Sequence, residues 1–211
     1  MVARNRLLSL LSKYFAYALE RGLVELNPVT GIKRLTEESR NRVLSDNEIR
    51  LFWDWLHSNK CDFSTNSALK LALITGQRVD EVCSIREEHI QGDWWLLPDS
   101  KNSLPHTVFL CDMAQQIIDE LRPHSRKGYL LINGKGAAKD SASLPKAMKE
   151  SSIEWESEPK PTPHDLRRTC ITGISCLGFS RLVQDKVANH IDSSVGGIYD
   201  RNDYAKEKQQ A

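Results

Sequence analysis

Residues 75–82, with the sequence Thr-Gly-Gln-Arg-Val-Asp-Glu-Val, are the stretch that indicates the fold most directly. A glycine after an apolar helix is typical of a helix end, because glycine adopts the left-handed conformation without a Cβ penalty. A second helix is predicted to begin directly afterwards, with Arg78 and Glu81 three residues apart at the junction. Taken alone, such a pair is more often an exposed ion pair of small energy than a functional site.

A second stretch, residues 161–169, has the sequence Pro-Thr-Pro-His-Asp-Leu-Arg-Arg-Thr and predicts a helix N-terminus. Thr162 suits the N-cap position and Pro163 suits the first helical position. His164 and Arg167 then lie on one face of the first turn, beside backbone N–H groups that favour anions. This combination suits a phosphate, although a capped helix with solvated charges explains it equally well.

Residues 93–110 change from helical to alternating periodicity and predict a β-hairpin. Its strands are expected at 94–97 and 107–110, around a polar turn with Lys101 at its tip. A third strand is predicted at 129–132. A lysine in a turn is usually solvated, so Lys101 alone indicates little.

Towards the C-terminus, His190 is followed nine residues later by Tyr199. Gly196 and Gly197 precede the tyrosine, and they cost helix stability and permit movement. A single tyrosine in such a segment is more often a packing residue than a nucleophile, and Tyr204 is a nearby alternative nucleophile.

Composition excludes several classes of protein. The 211 residues are 40% hydrophobic and 27% charged, as in ordinary globular proteins. The net charge of +1 lacks the basic excess that is usual in nucleic-acid-binding proteins. The charge is unevenly distributed, because residues 1–34 hold six basic and two acidic side chains, residues 35–159 hold 15 and 20, and residues 160–211 hold eight and six.

The five cysteines are scattered and form no Cys-x-x-Cys pair, which argues against a disulfide framework or a zinc site. No apolar run approaches the roughly 18 residues of a membrane span, and the first residues do not resemble a secretory signal. We therefore expect a soluble cytoplasmic protein without a metal or cofactor.

The remaining periodicity predicts a mostly helical α+β domain in which a small antiparallel sheet packs on helices. A helix is expected at 5–26, ended by Asn27-Pro28, and residues 27–44 resemble a linker. Ser45 and Glu48 form a capping box that begins the next helix. Further helices are predicted at 65–75, 79–88, 112–122, 141–151, 163–177, 179–189 and 195–208.

Together these stretches, in this order, resemble the catalytic domain of a tyrosine recombinase of the phage-integrase type. Each motif is weak singly, and the resemblance rests on the complete set of Arg, Lys, His, Arg, His and Tyr. It extends from about Arg42 to Tyr204. One departure is Ala188-Asn189 before the second histidine, where the family often has Leu-Gly.

The resemblance implies metal-independent phosphoryl transfer. Arg78 and Arg167 would hold the non-bridging oxygens of the scissile phosphate, to which the guanidinium fork is well suited. Tyr199 would be the nucleophile, forming a 3′-phosphotyrosyl link and releasing a 5′-hydroxyl. The spacing from His190 favours Tyr199 over Tyr204.

The same resemblance assigns the proton transfers. Lys101 would be the general acid for the leaving 5′-oxygen, and His164 would assist proton transfer at the tyrosine. His190 would hydrogen-bond the phosphate or orient Tyr199. Glu81 would help to hold the cationic side chains in place without contacting the phosphate itself.

The family resemblance also implies a division of the chain. Residues 1–30 resemble the final helix of a truncated core-binding domain with the start of the linker, residues 31–44 an interdomain linker, and residues 45–211 the catalytic domain. We expect a C-terminal fragment whose grip on DNA is weak, because fewer phosphate contacts lower affinity and flatten its salt dependence.

The implied function is site-specific recombination that integrates or excises a phage or genomic island in a bacterial host. The expected partners are a double-stranded attachment site, a homotetrameric synapse formed by chains that are monomeric when free, and possible accessory DNA-bending proteins. Two alternatives stay open: a non-catalytic DNA-binding integrase remnant, and a relaxing topoisomerase with type-IB chemistry.

Overall fold

The computed structural model describes residues 2–37, 40–58, 60–98, 100, 105–190 and 202–211. The chain divides into two units, Met1–Asn41 and Arg42–Ala211. The described helices are α1 (Val2–Glu20), α2 (Asp46–His57), α3 (Phe63–Thr75), α4 (Val79–Cys83), α5 (Asp112–Leu121), α6 (Ser143–Lys149), α7 (Pro163–Cys176), α8 (Arg181–Val187) and α9 (Ala205–Gln210). The strands are β1 (Ile90–Gln91), β2 (Trp94–Leu97) and β3 (His106–Phe109), and short 3₁₀ helices occupy Glu87–His89 and Arg122–His124.

The first unit is α1 with a segment that returns along it. Asn5 fixes this return: its Nδ2 donates to Leu35 O at 2.7 Å, and its Oδ1 accepts from Leu35 N at 3.0 Å. The helix ends at Glu20, earlier than predicted, and Gly22 then adopts a φ of 66°. Several large apolar side chains of this unit are exposed, among them Leu7, Leu10 and Tyr14. None of the described helices is long and apolar enough to cross a membrane.

The core of the second unit is built around α3. Ala68, Leu69 and Ala72 on this helix are fully buried, because α2, α4, α5, α6 and α7 all pack against it. A helix surrounded in this way is held rigidly. The turn that follows it is therefore fixed in place.

The capping box predicted at Ser45 is confirmed. Ser45 Oγ accepts from Glu48 N at 3.2 Å, and Glu48 Oε2 accepts from Ser45 N at 3.0 Å. Glu48 also forms a buried ion pair with Arg42, whose Nε donates to Pro159 O at 3.1 Å. This cluster anchors the start of the second unit.

The predicted hairpin is confirmed, as is the mostly helical α+β class. The sheet order is β1-β2-β3, antiparallel throughout, with Trp95 opposite Val108 and Leu97 opposite His106. The strand predicted at 129–132 is wrong, because these residues form only isolated bridges while Leu130 and Leu131 are fully buried in the core. The third strand is β1.

The other helix predictions differ mainly at their ends. The helix predicted at 79–88 stops at Cys83, and a 3₁₀ turn follows at Glu87–His89. The helix predicted at 195–208 falls partly outside the described residues, and its described part is α9. The remaining helices agree with prediction to within about two residues at each end, the usual uncertainty of helix boundaries.

Replacing Arg42 with Leu should lower the free energy of unfolding by about 3 kcal/mol, because it leaves a buried carboxylate without its cation. Urea unfolding at neutral pH measures this change. Arg50→Leu on exposed α2 surface is the matched control and should have little effect. Equal effects of the two substitutions would contradict a stabilising role for the Arg42–Glu48 pair.

Candidate active site

The turn between α3 and α4 is shaped by Gly76. This residue has a φ of 64°, and its N–H donates to Ala72 O at 3.2 Å to close α3. A Cβ at Gly76 would lie 3.0 Å from Cys170 Sγ on α7. The glycine is therefore required both by the backbone conformation and by the close approach of α7.

Arg78 is held at the start of α4 by Glu81. Arg78 Nη1 lies 3.2 Å from Glu81 Oε1, and the Arg78 backbone N–H donates to Glu81 Oε2 at 3.3 Å. The Glu81 side chain is 7% exposed and that of Arg78 is 21% exposed. The pair is thus largely buried, unlike the exposed ion pair that is commonest at this spacing.

Arg167 extends from α7 to two other elements. The capping box formed by Thr162 and Asp165 begins α7 and so sets the position of Arg167 on its first turns. The Arg167 side chain is buried, and its guanidinium donates to Gly76 O at 2.7 Å and to Ala188 O. Arg167 therefore joins the α3–α4 turn to the end of α8.

Arg78 lies close enough to Arg167 to affect the pKa of its guanidinium. Burial, followed by the positive charge of Arg78, lowers the pKa of Arg167 to about 10, while Glu81 acts in the opposite direction. With a pKa of about 10, the Arg167 guanidinium stays protonated at neutral pH. Such a concentrated positive charge suits an anion with several oxygens.

His190 follows directly after the end of α8, where Asn189 has a φ of 49°. The His190 ring Nδ1 lies 2.9 Å from Asp185 Oδ1, and Arg181 Nε lies 3.0 Å from Asp185 Oδ2. Burial raises the pKa of Asp185, but hydrogen bonds from His190 and Arg181 outweigh this, so the net shift is downwards. Since Nδ1 already bonds to this carboxylate, a phosphate would contact Nε2 of the ring.

His164 lies in the first turn of α7. Desolvation of its ring, then the positive charges of Arg168 and Arg167, lower its pKa below the ordinary value. The imidazole is therefore neutral at neutral pH. A neutral imidazole beside two cations can accept a proton, as a general base must.

The structure brings together five of the predicted site residues. Arg78 bonds to Glu81 and donates to Asn189 O at 3.3 Å, directly before His190. Arg167 donates to Gly76 O in the α3–α4 turn and to Ala188 O at the end of α8. His164 lies within electrostatic reach of the arginines. Lys101 and Tyr199 lie outside the described residues, so their assigned roles stay predictions.

Tyr204, the alternative nucleophile, is described. It has a φ of 55° at the start of α9, and Lys186 Nζ lies 4.8 Å from the centre of its ring. This cation–π contact engages the ring in packing between α9 and α8. Within the described ranges, no group of three or more His, Cys, Asp or Glu side chains could hold a metal ion.

Comparison with known proteins identifies the family. The model of the phage integrase family matches residues 42–206, most of the chain. The chain belongs to the phage integrase family. This result agrees with the resemblance drawn from the Arg, Lys, His, Arg, His and Tyr set.

Curated relatives of this integrase-family chain are distant. It is 24% identical over 194 residues to the integrase of Enterobacteria phage 434, covering 87% of the chain and 52% of the relative. It is 24% identical over 206 residues to tyrosine recombinase XerD of Lacticaseibacillus casei, covering 92% of the chain and 70% of the relative. The chain thus spans about half the length of the phage integrase that it matches.

Solved structures show the same fold. A lambda integrase tetramer bound to a Holliday junction superposes with a TM-score of 0.70 at 21% identity, covering 89% of this chain and 58% of that one. The XerH recombinase bound to its difH substrate gives a TM-score of 0.61 at 16% identity, covering 85% and 56%. At these identities, the likeness establishes the fold of the integrase-family domain.

Two ionisable residues near the arginines escaped the sequence reasoning. His106 on β3 is buried, and burial, with the charges of Lys208, Arg167 and Arg78, lowers its pKa to about 3. Lys208 on α9 donates to Thr107 O at 2.9 Å, and burial lowers its pKa to about 8. Strand alternation places His106 on the same face as Val108, but only the tertiary structure brings α7 and α9 to that face.

Buried, neutral His106 should make the fold sensitive to acid. The unfolded histidine binds a proton near its ordinary pKa of 6.5, whereas the folded one does so only near 3, so stability is lost as pH falls through that window. The loss is at most on the order of 5 kcal/mol. Urea unfolding at about pH 7 and about pH 4 should therefore show a smaller difference for His106→Gln than for the unsubstituted chain.

Exposed His57 provides the control for this pH experiment. His57→Gln should leave the difference between the two pH values unchanged, because this side chain is exposed on α2 and lies outside the buried core. An unchanged difference in His106→Gln would show that His106 does not titrate with folding.

Proposed function

We propose that this chain is the catalytic part of a site-specific recombinase that cleaves and rejoins double-stranded DNA through a tyrosine, without a metal ion. The observation that carries the proposal is the convergence of Arg78 and Arg167 at the end of α8, on the carbonyls of the two residues before His190. These are the groups that a metal-free transfer needs at a phosphodiester. Their positive charge stabilises the extra negative charge of the transition state.

Each member of the predicted set has a distinct role in the proposed reaction. Tyr199 attacks the phosphorus and forms a phosphotyrosyl bond to the 3′ end, while the bond to the 5′-oxygen breaks. Lys101 donates the proton that this leaving oxygen takes up, and neutral His164 accepts the tyrosine's proton. Rejoining reverses these steps when a 5′-hydroxyl attacks the phosphotyrosine, so the bond energy is retained.

The supporting residues hold the cations in place. Glu81 holds Arg78 through one contact with its guanidinium and one with its backbone N–H, and His190, oriented by Asp185, offers a hydrogen bond to the same phosphate. In this proposal, the site formed by these residues needs no cofactor for the chemistry. Arg78 and Arg167 provide the charge that a metal ion supplies in other phosphoryl-transfer sites.

The proposed division of the chain follows the same logic. Residues 1–30 would be the last helix of a core-binding domain with the start of the linker, residues 31–44 the interdomain linker, and residues 45–211 the catalytic domain. The exposed Leu7, Leu10 and Tyr14 support this division, because a helix that bears such side chains suits packing on further protein.

The proposed partners follow from the structural neighbours. Lambda integrase is seen as a dimer on a core site and as a tetramer on a Holliday junction. We expect this chain to form a tetrameric synapse on its attachment sites in the bacterial cytoplasm and to be a monomer when free. Accessory DNA-bending proteins would assist where the sites lie far apart.

Covalent capture of DNA tests the proposed function. The chain is incubated at high concentration with nicked suicide duplexes of randomised core sequence, and adducts are resolved by denaturing electrophoresis. Tyr199→Phe should abolish the adduct, whereas Tyr204→Phe should preserve it, because the Tyr204 ring packs against Lys186. Retention of DNA with no adduct would favour the non-catalytic remnant, and relaxation of supercoiled plasmid without recombination would favour a topoisomerase.

Replacing Arg167 with Lys tests whether the reaction requires the several fixed N–H donors of a guanidinium group. Lysine keeps the charge but cannot donate to Gly76 O, Ala188 O and a phosphate together, so the adduct rate should fall about 100-fold or more. The salt dependence of DNA binding should change little, since the charge is kept. The adjacent Arg168→Lys is the control and should retain a near-normal rate, and equal losses in both variants would refute a specific role for Arg167.

A further inference from the structure

Three consecutive backbone carbonyls at the end of α8 each accept a hydrogen bond from a side chain of another element. The pairs are Gln77 Nε2 with Val187 O at 2.9 Å, the Arg167 guanidinium with Ala188 O, and Arg78 Nη2 with Asn189 O at 3.3 Å. The last carbonyls of a helix have no partner within the helix. We call this arrangement the carbonyl clamp.

The clamp has two kinds of member. Arg78 and Arg167 are the proposed phosphate ligands, and a phosphate bearing a full negative charge competes for the N–H groups that now hold neutral carbonyls. Gln77 is uncharged and 1% exposed, and its Nε2 also donates to Thr75 O at 3.0 Å within its own turn. A DNA phosphate therefore does not draw the Gln77 donor away from the Val187 carbonyl.

His190 depends on the end of α8 for its position. Its backbone N–H donates to Asp185 O at 2.9 Å, and its Nδ1 contacts the Asp185 carboxylate at the same distance. Both contacts require the last turn of α8 to stay closed. A helix as short as Arg181–Val187 has little cooperativity of its own, so its end frays unless other elements hold it.

We propose that Gln77 is a positioning residue for His190: it holds the Val187 carbonyl, and so keeps the end of α8 in place when the two arginines turn their donors to a DNA phosphate. The inference rests on the proposed function for its catalytic consequence. The hydrogen-bond network itself exists without DNA. Gln77 lies between Gly76 and Arg78, so the turn that presents the first arginine also presents this amide.

The test compares two buried glutamines that both bond to carbonyls around α8. Gln77→Met removes the donor to Val187, while Gln184→Met removes a donor to Phe179 O at 2.9 Å, before the helix begins. Both substitutions keep an unbranched side chain of similar length. Only the first should disturb the end of α8 and His190.

The first readout is NMR of the chain without DNA. In Gln77→Met, the backbone amides of Ala188, Asn189 and His190 should exchange with solvent about 10-fold faster or more. The His190 imidazole ¹⁵N resonances should move towards those of a ring without a carboxylate partner. Gln184→Met should leave these signals in place, and unchanged signals in Gln77→Met would overturn the inference.

The second readout is the rate of adduct formation on the suicide duplexes at saturating DNA. Gln77→Met should lower this rate about 10-fold or more without changing the DNA concentration at half-saturation, since a mispositioned His190 affects chemistry rather than binding. A proportional loss of DNA affinity, or an equal loss in Gln184→Met, would also overturn it. If the unsubstituted chain forms no adduct, the proposed function fails while the NMR comparison still decides the role of Gln77.

A further variant tests the direction of the hydrogen bond. Gln77→Glu keeps the length of the side chain but replaces the N–H donor with an acceptor that repels the Val187 carbonyl. It should give the same two changes as Gln77→Met. Normal amide exchange and a normal adduct rate in this variant would count against the inference.

Discussion

The site depends on one buried guanidinium. Arg167 reaches from α7 to Gly76 O in the α3–α4 turn and to Ala188 O at the end of α8, and so joins three segments that are distant in sequence. Burying a charge is costly unless it is hydrogen-bonded, and here backbone carbonyls provide the acceptors. Without this contact, the turn that presents Arg78 and the helix end that presents His190 would lose their shared bond to α7, while Gln77 and Arg78 would still join them.

The same geometry explains how two arginines can lie close together without DNA. The Glu81 carboxylate offsets part of the positive charge of Arg78, and the carbonyls of the clamp accept hydrogen bonds from both guanidinium groups. Burial, followed by repulsion from Arg78, still lowers the pKa of Arg167 to about 10. A site kept in this state is preorganised for a phosphate, since its cations are already in position when the substrate arrives.

A net charge of +1 is compatible with this function because charge acts locally. The middle of the chain carries an acidic excess, yet the arginines converge on one small volume in which few acidic groups take part. Bulk charge governs long-range attraction to DNA, whereas the chemistry depends on groups within hydrogen-bonding distance. The sum over the chain therefore carries little information about the site.

The sequence by itself determined the elements whose rules are local. Gly76 ends α3 because its left-handed φ favours glycine, the Ser45 and Thr162 capping boxes begin their helices, and alternation predicted the hairpin of β2 and β3. It also contained Arg78, Lys101, His164, Arg167, His190 and Tyr199 in order, and this set carried the resemblance to the family that the comparison then showed. Local periodicity failed at 129–132, where burial of Leu130 and Leu131 in the core gave an apolar run the appearance of a strand.

Only the tertiary structure decided which residues meet. His106 and Lys208 belong to elements without any local motif, and they approach the arginines because β3 and α9 pack together there. Nothing in the sequence around Gln77 indicates that its side chain donates a hydrogen bond to a carbonyl 110 residues away. Hydrogen bonds between distant segments follow from packing of the whole core, and the sequence pattern of a single helix or strand does not encode them.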